Sequence, residues 1–503
     1  MKRGRDQFNV LQADVAFAAL DTADVAAVEA HSVCKIFLAP PAIFAKLAHA
    51  IAKKSFDVAV GHGDDIVLLD DNASTDLKSR TETAVLAKSK WSETMPVALR
   101  TQHAERNDRL VKTKSFCEFF AGIGLVREGL SDSGWRCQYA NDINPKKRDL
   151  YQLRFNRDDH FHLGDIWQTD EVVSQIDEQP FLATASFPCI DMSLAGHWRG
   201  FSGEHSSTFF GFVRVLDALE ERRPPVVMLE NVAGFLTSKG GSDFESAVRA
   251  LAERGYWIDA FMLDAKSFLP QSRPRVFVIG VDESLEAPFL HRDSATNWLG
   301  SRWQQVVEKA DGSLRPARLV KLMQSIDLPT GWAAFDVPAP VMESPDLSLL
   351  IDLDDQQEWW DSAAVEKHHD MMSDRHRELV DRLISEGETH VGTIFRRKRD
   401  GKTRAEVRMD GVAGCLRTPK GGSAKQIVIV IAQGKLKMRW MSAREYARLQ
   451  GAADFPLVAN NIQNLLGFGD AVCVPVIRWI DSHILSPLFE HNSSAVRHSL
   501  ITS

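Results

Sequence analysis

The chain has 503 residues, 44% of them hydrophobic and 25% charged, which is the composition of an ordinary globular protein of two or three domains. Its formal net charge of −8 gives no sign of a nucleic-acid partner, although a local basic patch is enough to bind one. No apolar run approaches the roughly 20 residues that a membrane helix needs, and no apolar stretch follows the basic first residues, so we expect neither a membrane span nor a signal peptide.

The first part of the chain, residues 1–110, is rich in alanine and then turns polar. The stretch PPAIFAKLAHAIAKK has the spacing of an amphipathic helix and DIVLLDD that of a strand, whereas residues 72–109 are typical of a linker. We therefore predict a separate N-terminal accessory region at 1–110, and no motif in it indicates a role.

Short apolar runs alternate with helical stretches from residue 111 to 282. The strand-like runs are SFCEFF, RCQYAND, FLATAS, VVMLENV and RVFVIGV, and stretches of helical spacing such as PKKRDLYQLRF and FESAVRALAERGYW separate them. This alternation predicts an α/β fold with a doubly wound, mostly parallel sheet. In such a sheet, ligands bind beyond the carboxyl ends of the strands.

The alternation fades between residues 283 and 432, a polar segment rich in Trp, Asp and Arg that we interpret as a smaller, variable domain. Regular structure resumes at 433–485 with MSAREYARLQG and GDAVCVPVIRWI, which we expect to rejoin the core. Residues 486–503 are predicted to form a tail.

Three features at successive strand ends indicate a pocket for an adenine nucleoside. The first is FAGIG at 120–124, where glycines let backbone N–H groups approach a ligand closely. Asp142 follows the second strand, where a carboxylate can accept from both hydroxyls of a ribose, and Asp165 follows the third, where it can accept from an adenine amino group. Each acid alone is more often a helix cap or a solvated loop residue, but the three together predict a nucleoside site without a pyrophosphate grip.

Cys189, in the stretch FPCIDM after the next strand, is either a buried structural thiol or a nucleophile. Glu230 favours the nucleophile, because it ends the neighbouring apolar strand, where a carboxylate has no packing role. Arg273 and Arg275 stand two residues apart at the start of a strand and should share one face. The six cysteines lie far apart with no Cys-x-x-Cys pair, so we expect no metal site, no disulfide framework and a cytoplasmic location.

The order of these motifs resembles that of the DNA (cytosine-5)-methyltransferases. The resemblance rests on eight elements in order: FAGIG at 120–124, Asp142, Asp165, the Pro-Cys pair at 188–189, ENV at 230–232, QSRPR at 271–275, REYARLQG at 444–451 and GDAVCVP at 469–475. It covers residues 114 to about 480, with a gap at 283–432 where that family is itself variable, and residues 1–110 lie outside it. The chain departs from the family pattern at Leu125, Ile190 and Asp470, where the family has Gly, Gln and Asn.

The resemblance implies transfer of a methyl group from S-adenosylmethionine to carbon 5 of a cytosine flipped out of duplex DNA. Cys189 would add to carbon 6 of the ring, and Glu230 would protonate or hydrogen-bond the ring nitrogen. Arg275 would hold the ring carbonyl and Glu230, and Arg273 would support Cys189. The residues implied for the cofactor are Phe120, Ala121, Gly122, Ile123, Gly124, Asp142, Ile143, Asp165, Ile166, Pro188, Asp470 and Ala471.

Two segments are candidates for DNA contact. The glycine-bearing stretch after the Pro-Cys pair fits a mobile loop beside the flipped base, and residues 395–425 carry ten Lys or Arg against three Asp or Glu. The predicted DNA-binding residues are Ser193, His197, Arg199, Arg396, Arg397, Lys398, Arg417, Thr418 and Lys420. We also expect a monomer that acts as the modification partner of a prokaryotic restriction endonuclease.

Three other functions stay open at the level of sequence. A tRNA cytosine-5 methyltransferase shares the chemistry, but its variable region is typically short. A non-catalytic DNA-binding protein on the same core would be expected to lack Cys189, Glu230 or the arginines, all of which are present. An S-adenosylmethionine-dependent enzyme of small molecules would leave QSRPR and the basic stretch unexplained.

Overall fold

The computed structural model describes residues 113–156, 160–188, 208–293, 301–309, 314–354, 357–399, 401–418 and 424–502, together with two short strands at 57–60 and 66–69. The chain divides into two units, Met1–Gln102 and His103–Ser503. In the first, β1 (Asp57–Val60) pairs antiparallel with β2 (Ile66–Leu69), which lies within the predicted strand DIVLLDD. The helix predicted at 40–54 lies outside the described residues.

The second unit contains strands and helices in alternation along its described residues. Its strands are β3 (Ser115–Phe119), β4 (Arg136–Asp142), β5 (Phe161–Leu163), β6 (Leu182–Ala185), β7 (Val226–Val232), β8 (Tyr256–Asp264), β9 (Pro274–Asp282), β10 (Leu290–Asp293), β11 (Trp332–Phe335), β12 (His390–Arg399), β13 (Lys402–Arg408), β14 (Ile427–Ala432) and β15 (Lys435–Trp440). Its α-helices are α1 (Leu125–Leu130), α2 (Pro145–Arg154), α3 (Thr169–Ser174), α4 (Thr208–Ala218), α5 (Ser242–Ala252), α6 (Arg302–Val307), α7 (Ala317–Gln324), α8 (Ser362–Asp370), α9 (Asp374–Glu386), α10 (Ala443–Leu449), α11 (Asn461–Asp470), α12 (Val474–Ile480) and α13 (Ser486–Thr502).

Nine strands form one sheet in the order β10-β11-β8-β9-β7-β6-β3-β4-β5. Strands β3 to β7 run parallel to one another, whereas β9 runs antiparallel to both β7 and β8. The chain order reverses at β3, which lies between β4 and β6, and such a reversal opens a crevice at the carboxyl ends of the strands. The predicted α/β class with a doubly wound, mostly parallel sheet is confirmed.

Buried apolar side chains cover both faces of this sheet, because successive residues of a strand point to opposite sides. In β7, Val226 and Met228 belong to one core cluster, and Val227 and Leu229 belong to the other. Helices α1 and α12 contribute to the first cluster, and α4 and α5 contribute to the second. Burial on both faces explains why these strands are continuous apolar runs in the sequence.

The sheet extends further along the chain than the core predicted at 111–282. Strands β10 and β11 pair with each other at its edge, and Trp332 of β11 is in register with Ile258 of β8. The helix predicted over FESAVRALAERGYW is too long, because α5 ends at Ala252 and β8 begins at Tyr256. Gly255 has a left-handed φ of 88°, which is the usual conformation just past the end of a helix.

A second, antiparallel sheet has four strands in the order β13-β12-β14-β15. One of its faces packs on α9 through Ile394, Ile427 and Ile429. On the opposite face, Val428 and Val430 of β14 join a core cluster of the large sheet. The small sheet lies mainly within the segment predicted as a smaller domain at 283–432, and its last strand, β15, lies beyond that boundary.

One helical stretch, Asn461–Ser494, has the length and apolar composition of a membrane-spanning helix. The stretch is interrupted between α11 and α12, and 61% of its most apolar window is buried inside the fold. Ile477 in this stretch packs so closely on α1 that a Cβ at Gly129 would come within 2.6 Å of it. The stretch therefore acts as a core helix of this unit.

Candidate active site

The turn between β3 and α1 has three residues in the left-handed backbone region. Phe120, Gly122 and Gly124 have φ angles of 56°, 60° and 83°, a region that glycine enters without a steric cost. The turn is fastened to β4, because the Gly122 N–H donates to Asp142 Oδ2 at 2.9 Å and the Asn144 N–H donates to Asp142 Oδ1 at 2.8 Å. The structure thus brings the predicted turn and the predicted acid together.

The two glycines of this turn have different surroundings. A Cβ at Gly124 would lie 2.5 Å from Phe155 and 2.7 Å from Tyr151, so the packing against α2 requires a glycine there. Of the described residues, a Cβ at Gly122 would meet only Phe120, at 4.0 Å from its carbonyl oxygen. The described part of the chain therefore leaves space above Gly122, as a ligand that approaches the backbone needs.

Glu118, in β3 beneath this turn, is a buried carboxyl that the sequence reasoning missed. It is 1% exposed, and neither of its oxygens makes a regular hydrogen bond within the described part of the chain. Burial raises its pKa from 4.5 to about 8, against the opposing influence of the Arg127 charge and of the Val126 and Arg127 backbone N–H groups. A cationic group that bound beside Glu118 would favour its carboxylate form.

Most of the other predicted cofactor residues lie along the same crevice. Ile143 exposes 68% of its surface, and Asp165 is exposed and accepts from the Trp167 N–H at 3.1 Å. Asp470, at the end of α11, lies 3.1 Å from the Lys147 ammonium. Ile123 is buried in the core instead. Those that line the crevice are Phe120, Ala121, Gly122, Asp142, Ile143, Asp165, Ile166, Pro188, Asp470 and Ala471.

Glu230 and Arg275 form an ion pair in this crevice. Glu230 lies near the end of β7 and Arg275 near the start of β9, and the antiparallel pairing of these strands puts both at one edge of the sheet. Arg275 Nε lies 2.8 Å from Glu230 Oε1, and the two side chains are only 13% and 10% exposed. The structure therefore joins two of the predicted catalytic residues in one buried pair.

Asn231, which follows Glu230 in β7, holds the backbone that leads into the Pro-Cys pair. Its Nδ2 donates to the Phe187 carbonyl oxygen at 3.2 Å, and its Oδ1 accepts from the Val232 N–H at 2.8 Å. Pro188 is exposed and lines the crevice. The parallel pairing of β6 with β7 brings the chain to the edge where Glu230 lies. The predicted residues that lie outside the described part of the chain are Cys189, Ser193, His197, Arg199 and Lys420.

Arg273 has different partners from those of Arg275. It is 2% exposed, and its guanidinium NH groups donate to the carbonyl oxygens of Leu416 at 2.8 Å, Gly469 at 3.2 Å and Ala471 at 2.6 Å. Burial, followed by the charge of Arg275, lowers its pKa. Arg273 therefore connects the segment before Arg417 to the motif GDAVCVP, and its support of Cys189 stays a prediction.

Two glutamines that sequence reasoning did not assign to the site extend this connection. Gln271 donates to the Leu449 carbonyl oxygen at 2.6 Å and accepts from the Leu416 N–H at 3.2 Å. Gln450 donates to the Phe468 carbonyl oxygen at 2.7 Å. Gln271 lies in the motif QSRPR and Gln450 in the motif REYARLQG, so these motifs could have identified both residues from the sequence. Their hydrogen bonds hold three distant segments of the chain together.

A cavity of about 1490 Å³ joins most of these groups, and we call it the central cavity. Glu118, the turn at 120–122, Glu230 and Arg275 all line it. Residues of the small sheet and of the segment 414–418 also line it, and we call this part, which is rich in Arg and Lys, the basic wall. Among the predicted DNA-binding residues, those that line it are Arg396, Arg397, Lys398, Arg417 and Thr418. The arrangement can hold a nucleoside beside the turn at 120–122 and a polyanion along the basic wall.

A sequence model of the family described as C-5 cytosine-specific DNA methylase matches residues 114–486. Among curated proteins, the chain is 31% identical over 182 residues to the type II methyltransferase M.BsuFI of Bacillus subtilis, and the match covers 36% of this chain and 42% of that protein. The chain is 30% identical over 176 residues to the type II methyltransferase M.HhaI of Haemophilus parahaemolyticus, and this match covers 35% of this chain and 51% of that protein. The chain thus spans about half the length of these two relatives.

A longer match is to the type II methyltransferase M1.ScrFI of Lactococcus lactis subsp. cremoris, at 24% identity over 376 residues, 74% of this chain and 78% of that one. Among solved structures, the Dnmt2 methyltransferase of S. pombe gives a TM-score of 0.46 at 16% identity, over 74% of this chain and 99% of that one. A Spodoptera frugiperda DNMT2 mutant gives a TM-score of 0.47 at 16% identity, over 75% of this chain and 100% of that one.

Proposed function

Because the chain belongs to the C-5 cytosine-specific DNA methylase family, we propose that it transfers a methyl group from S-adenosylmethionine to carbon 5 of a cytosine in duplex DNA. The observation that carries the proposal is the buried pair of Glu230 and Arg275, in the same cavity as the turn at 120–122. A carboxylate held by an arginine at the end of an apolar strand can bind the polar edge of a base. The match spans all the site residues named above.

The part of the central cavity near β3 and β4 fits S-adenosylmethionine. Asp142 already accepts two backbone N–H groups, yet each carboxylate oxygen keeps a lone pair for a ribose hydroxyl. The exposed Ile143 offers apolar surface to the adenine ring, and Asp165 can accept from its amino group. Glu118, buried and without a regular hydrogen bond to any described residue, suits the ammonium of the methionine part. When bound, this cofactor supplies a methyl group on a sulfonium.

Cys189 acts as the nucleophile in the proposed reaction. Its thiolate forms a bond to carbon 6 of the cytosine, and Glu230 delivers the proton that the ring nitrogen gains. Carbon 5 can then take the methyl group. Water takes the carbon-5 hydrogen as a proton, the ring proton returns to Glu230 and the Cys189 thiolate leaves carbon 6, which restores the aromatic ring. Arg275 holds Glu230 in place and donates to the ring carbonyl.

Duplex DNA lies along the basic wall of the central cavity, and the target cytosine leaves the base stack to reach Glu230. Arg417 and Thr418 contact the DNA from this wall, and Ser193, His197 and Arg199 contact it from the stretch after Cys189. We further propose that the protein is a cytoplasmic monomer and the modification partner of a restriction endonuclease.

A methyl-transfer assay tests this function. The protein is incubated with S-adenosylmethionine carrying a tritiated methyl group and with one of three acceptors: mixed-sequence duplex DNA, a duplex of only adenine and thymine, or tRNA. We expect label in the mixed duplex alone, and a loss of about 100-fold or more in kcat for Glu230→Gln with cofactor affinity retained. Label in tRNA alone would assign the protein to RNA. Cofactor binding without label in any acceptor would contradict a catalytic role.

A further inference from the structure

Strands β12 and β13 form a two-stranded ribbon at the edge of the small sheet. They pair over Thr393–Arg399 and Lys402–Arg408, and the turn between them contains Gly401 with a left-handed φ of 75°. Strand β14 pairs with β12 only over His390–Ile394. The ribbon from Phe395 onward therefore extends beyond the third strand.

The two faces of this ribbon have different surroundings. Ile394 and Ala405 are buried in the core of the small sheet. Thr393 points the opposite way and accepts from the Gly414 N–H at 3.4 Å, in the segment that Gln271 connects to the large sheet. Phe395 and Arg397 share the face of Thr393, because side chains alternate along a strand, and we call this the Thr393 face. Residues of both faces, Phe395, Arg396, Arg397 and Lys398, line the central cavity.

Like charges lie directly opposite one another on the Thr393 face. Arg397 is in register with Arg404, and both are exposed. Arg397 is paired with Glu406, whose Oε1 lies 2.9 Å from its Nε. Like charges directly across two strands destabilise a sheet. The Arg397–Arg404 pair is therefore unfavourable in the free protein. It becomes favourable when hydrogen-bond acceptors of a ligand lie between the two side chains.

The arginine on the other face is held in a different way. Arg396 lies over the Trp440 ring, 4.8 Å from its centroid, and burial lowers its pKa. Lys398 is on this same face, opposite Thr403, and is exposed. The side chains of the three basic residues at 396–398 therefore alternate between the two faces of the ribbon, although all three residues line the central cavity.

We infer that the outer half of the ribbon enters the major groove with its Thr393 face toward the bases, and that Arg397 and Arg404 donate to guanines beside the target cytosine. The inference rests on the proposed function in taking duplex DNA as the occupant of the central cavity. The major groove, about 12 Å wide, admits a two-stranded ribbon, and an arginine donates bidentately to guanine O6 and N7. Lys398, on the other face, contacts phosphate and carries no sequence information.

Selection of duplexes from a random pool tests the inference independently of catalysis. The full-length protein, Arg404→Ala and Lys398→Ala are each incubated with the pool and S-adenosylhomocysteine, and the bound DNA is sequenced. We expect the wild type to select a motif containing guanine. Arg404→Ala should lose about tenfold or more of the preference at one guanine, whereas Lys398→Ala should weaken binding to all sequences and keep the motif.

The thermal midpoint of the same variants separates loss of contact from loss of fold. Arg404→Ala removes a like-charge contact, so its midpoint should equal or exceed that of the wild type. An unchanged motif in folded Arg404→Ala, or equal relaxation in Lys398→Ala, would overturn the inference. Selection of a motif without methyl transfer would contradict the proposed function and leave the ribbon's role supported. Failure of the wild type to select any motif would overturn the ribbon's role, whatever the methyl-transfer result.

Discussion

Glu118 and Glu230 are two buried carboxyls in one cavity that differ in the groups facing them. Glu230 lies 2.8 Å from an arginine nitrogen. Glu118 makes no regular hydrogen bond among the described residues, and its pKa is raised to about 8. The sequence indicated Glu230, because it interrupts an apolar strand, but Glu118 is one acid among ordinary strand residues until the fold shows its burial.

We predict that cofactor binding depends on pH through Glu118. Below about pH 8 its carboxyl is neutral in the free protein, and a bound ammonium favours the carboxylate, so affinity should rise between pH 6 and pH 8 and then level off. Glu118→Gln should bind the cofactor more weakly and with a flat pH profile. Titration calorimetry measures both, with the exposed Glu178→Gln as the control. A pH dependence that persists in Glu118→Gln would contradict this role.

The same shift has a consequence for folding. A carboxyl whose pKa is higher in the folded chain binds more protons when folded, so its contribution to stability falls as pH rises from about 4.5 to about 8. In the ligand-free protein, we therefore expect Glu118→Gln to increase the free energy of unfolding, relative to the wild type, more at pH 8 than at pH 5. Urea unfolding at the two pH values measures this difference, and an equal effect at both would argue against the raised pKa.

Asn231 is a positioning residue in this account. Replacement by alanine removes the donor to the Phe187 carbonyl oxygen, which stands two residues before Cys189. We expect Asn231→Ala to lower kcat about tenfold to 100-fold, since small displacements of a reacting group have effects of that order, with cofactor affinity unchanged. Asn231→Asp keeps the acceptor for the Val232 N–H but lacks the donor, so it should behave like the alanine variant. An unaltered kcat in both would exclude the role.

At the scale of elements, the turn between β3 and α1 combines backbone strain with close packing at Gly124. Gly134 has a similar φ of 78° but open space around its Cβ position, so Gly134→Ala should cost about 1 to 2 kcal/mol from backbone strain alone. Gly124→Ala adds contacts at 2.5 Å with Phe155 and should cost about 1 to 3 kcal/mol more. Urea unfolding of the two variants compares these costs, and equal losses would mean that packing at Gly124 adds nothing.

The strands of the parallel sheet were predictable because burial on both faces makes them apolar runs. The limits of prediction appear at β8 and β9. Helical spacing extended the predicted helix through Trp257, although Gly255 lies just past its end. No local pattern indicated that β9 runs antiparallel. That direction is what brings Arg275 to Glu230.

The basic stretch at 395–425 shows what spacing alone cannot resolve. Its charge indicated a surface for nucleic acid, but neighbouring residues on a strand face opposite ways. Arg396 packs on Trp440, while Arg397 lies on the opposite face of the strand with Phe395. Likewise the links from Gln271 and Arg273 to Leu416 join positions that are far apart in the chain, so only the fold shows them.

At the scale of the molecule, a chain of net charge −8 carries a cavity wall of opposite sign. We expect DNA affinity to fall steeply with salt, because bound lysines and arginines release counterions from the phosphates. Anisotropy titrations of labelled duplex DNA between 50 and 200 mM salt measure how affinity changes with salt. Over this range, about six to ten phosphate contacts lower affinity by at least about 1000-fold. Cofactor affinity over the same range should change little, and a flat DNA profile would contradict binding along the basic wall.

Covalent trapping shows whether Cys189 is the nucleophile. Duplex DNA containing 5-fluorocytosine prevents loss of the carbon-5 substituent, so the sulfur–carbon bond persists and survives denaturation. Cys415 lines the same cavity and lies 3.4 Å from Arg273 Nη1, which makes Cys415→Ala the matched control. We predict an adduct on Cys189 by mass spectrometry that Cys189→Ala abolishes and Cys415→Ala retains. An adduct on Cys415, or none on DNA despite cofactor binding, would contradict the account.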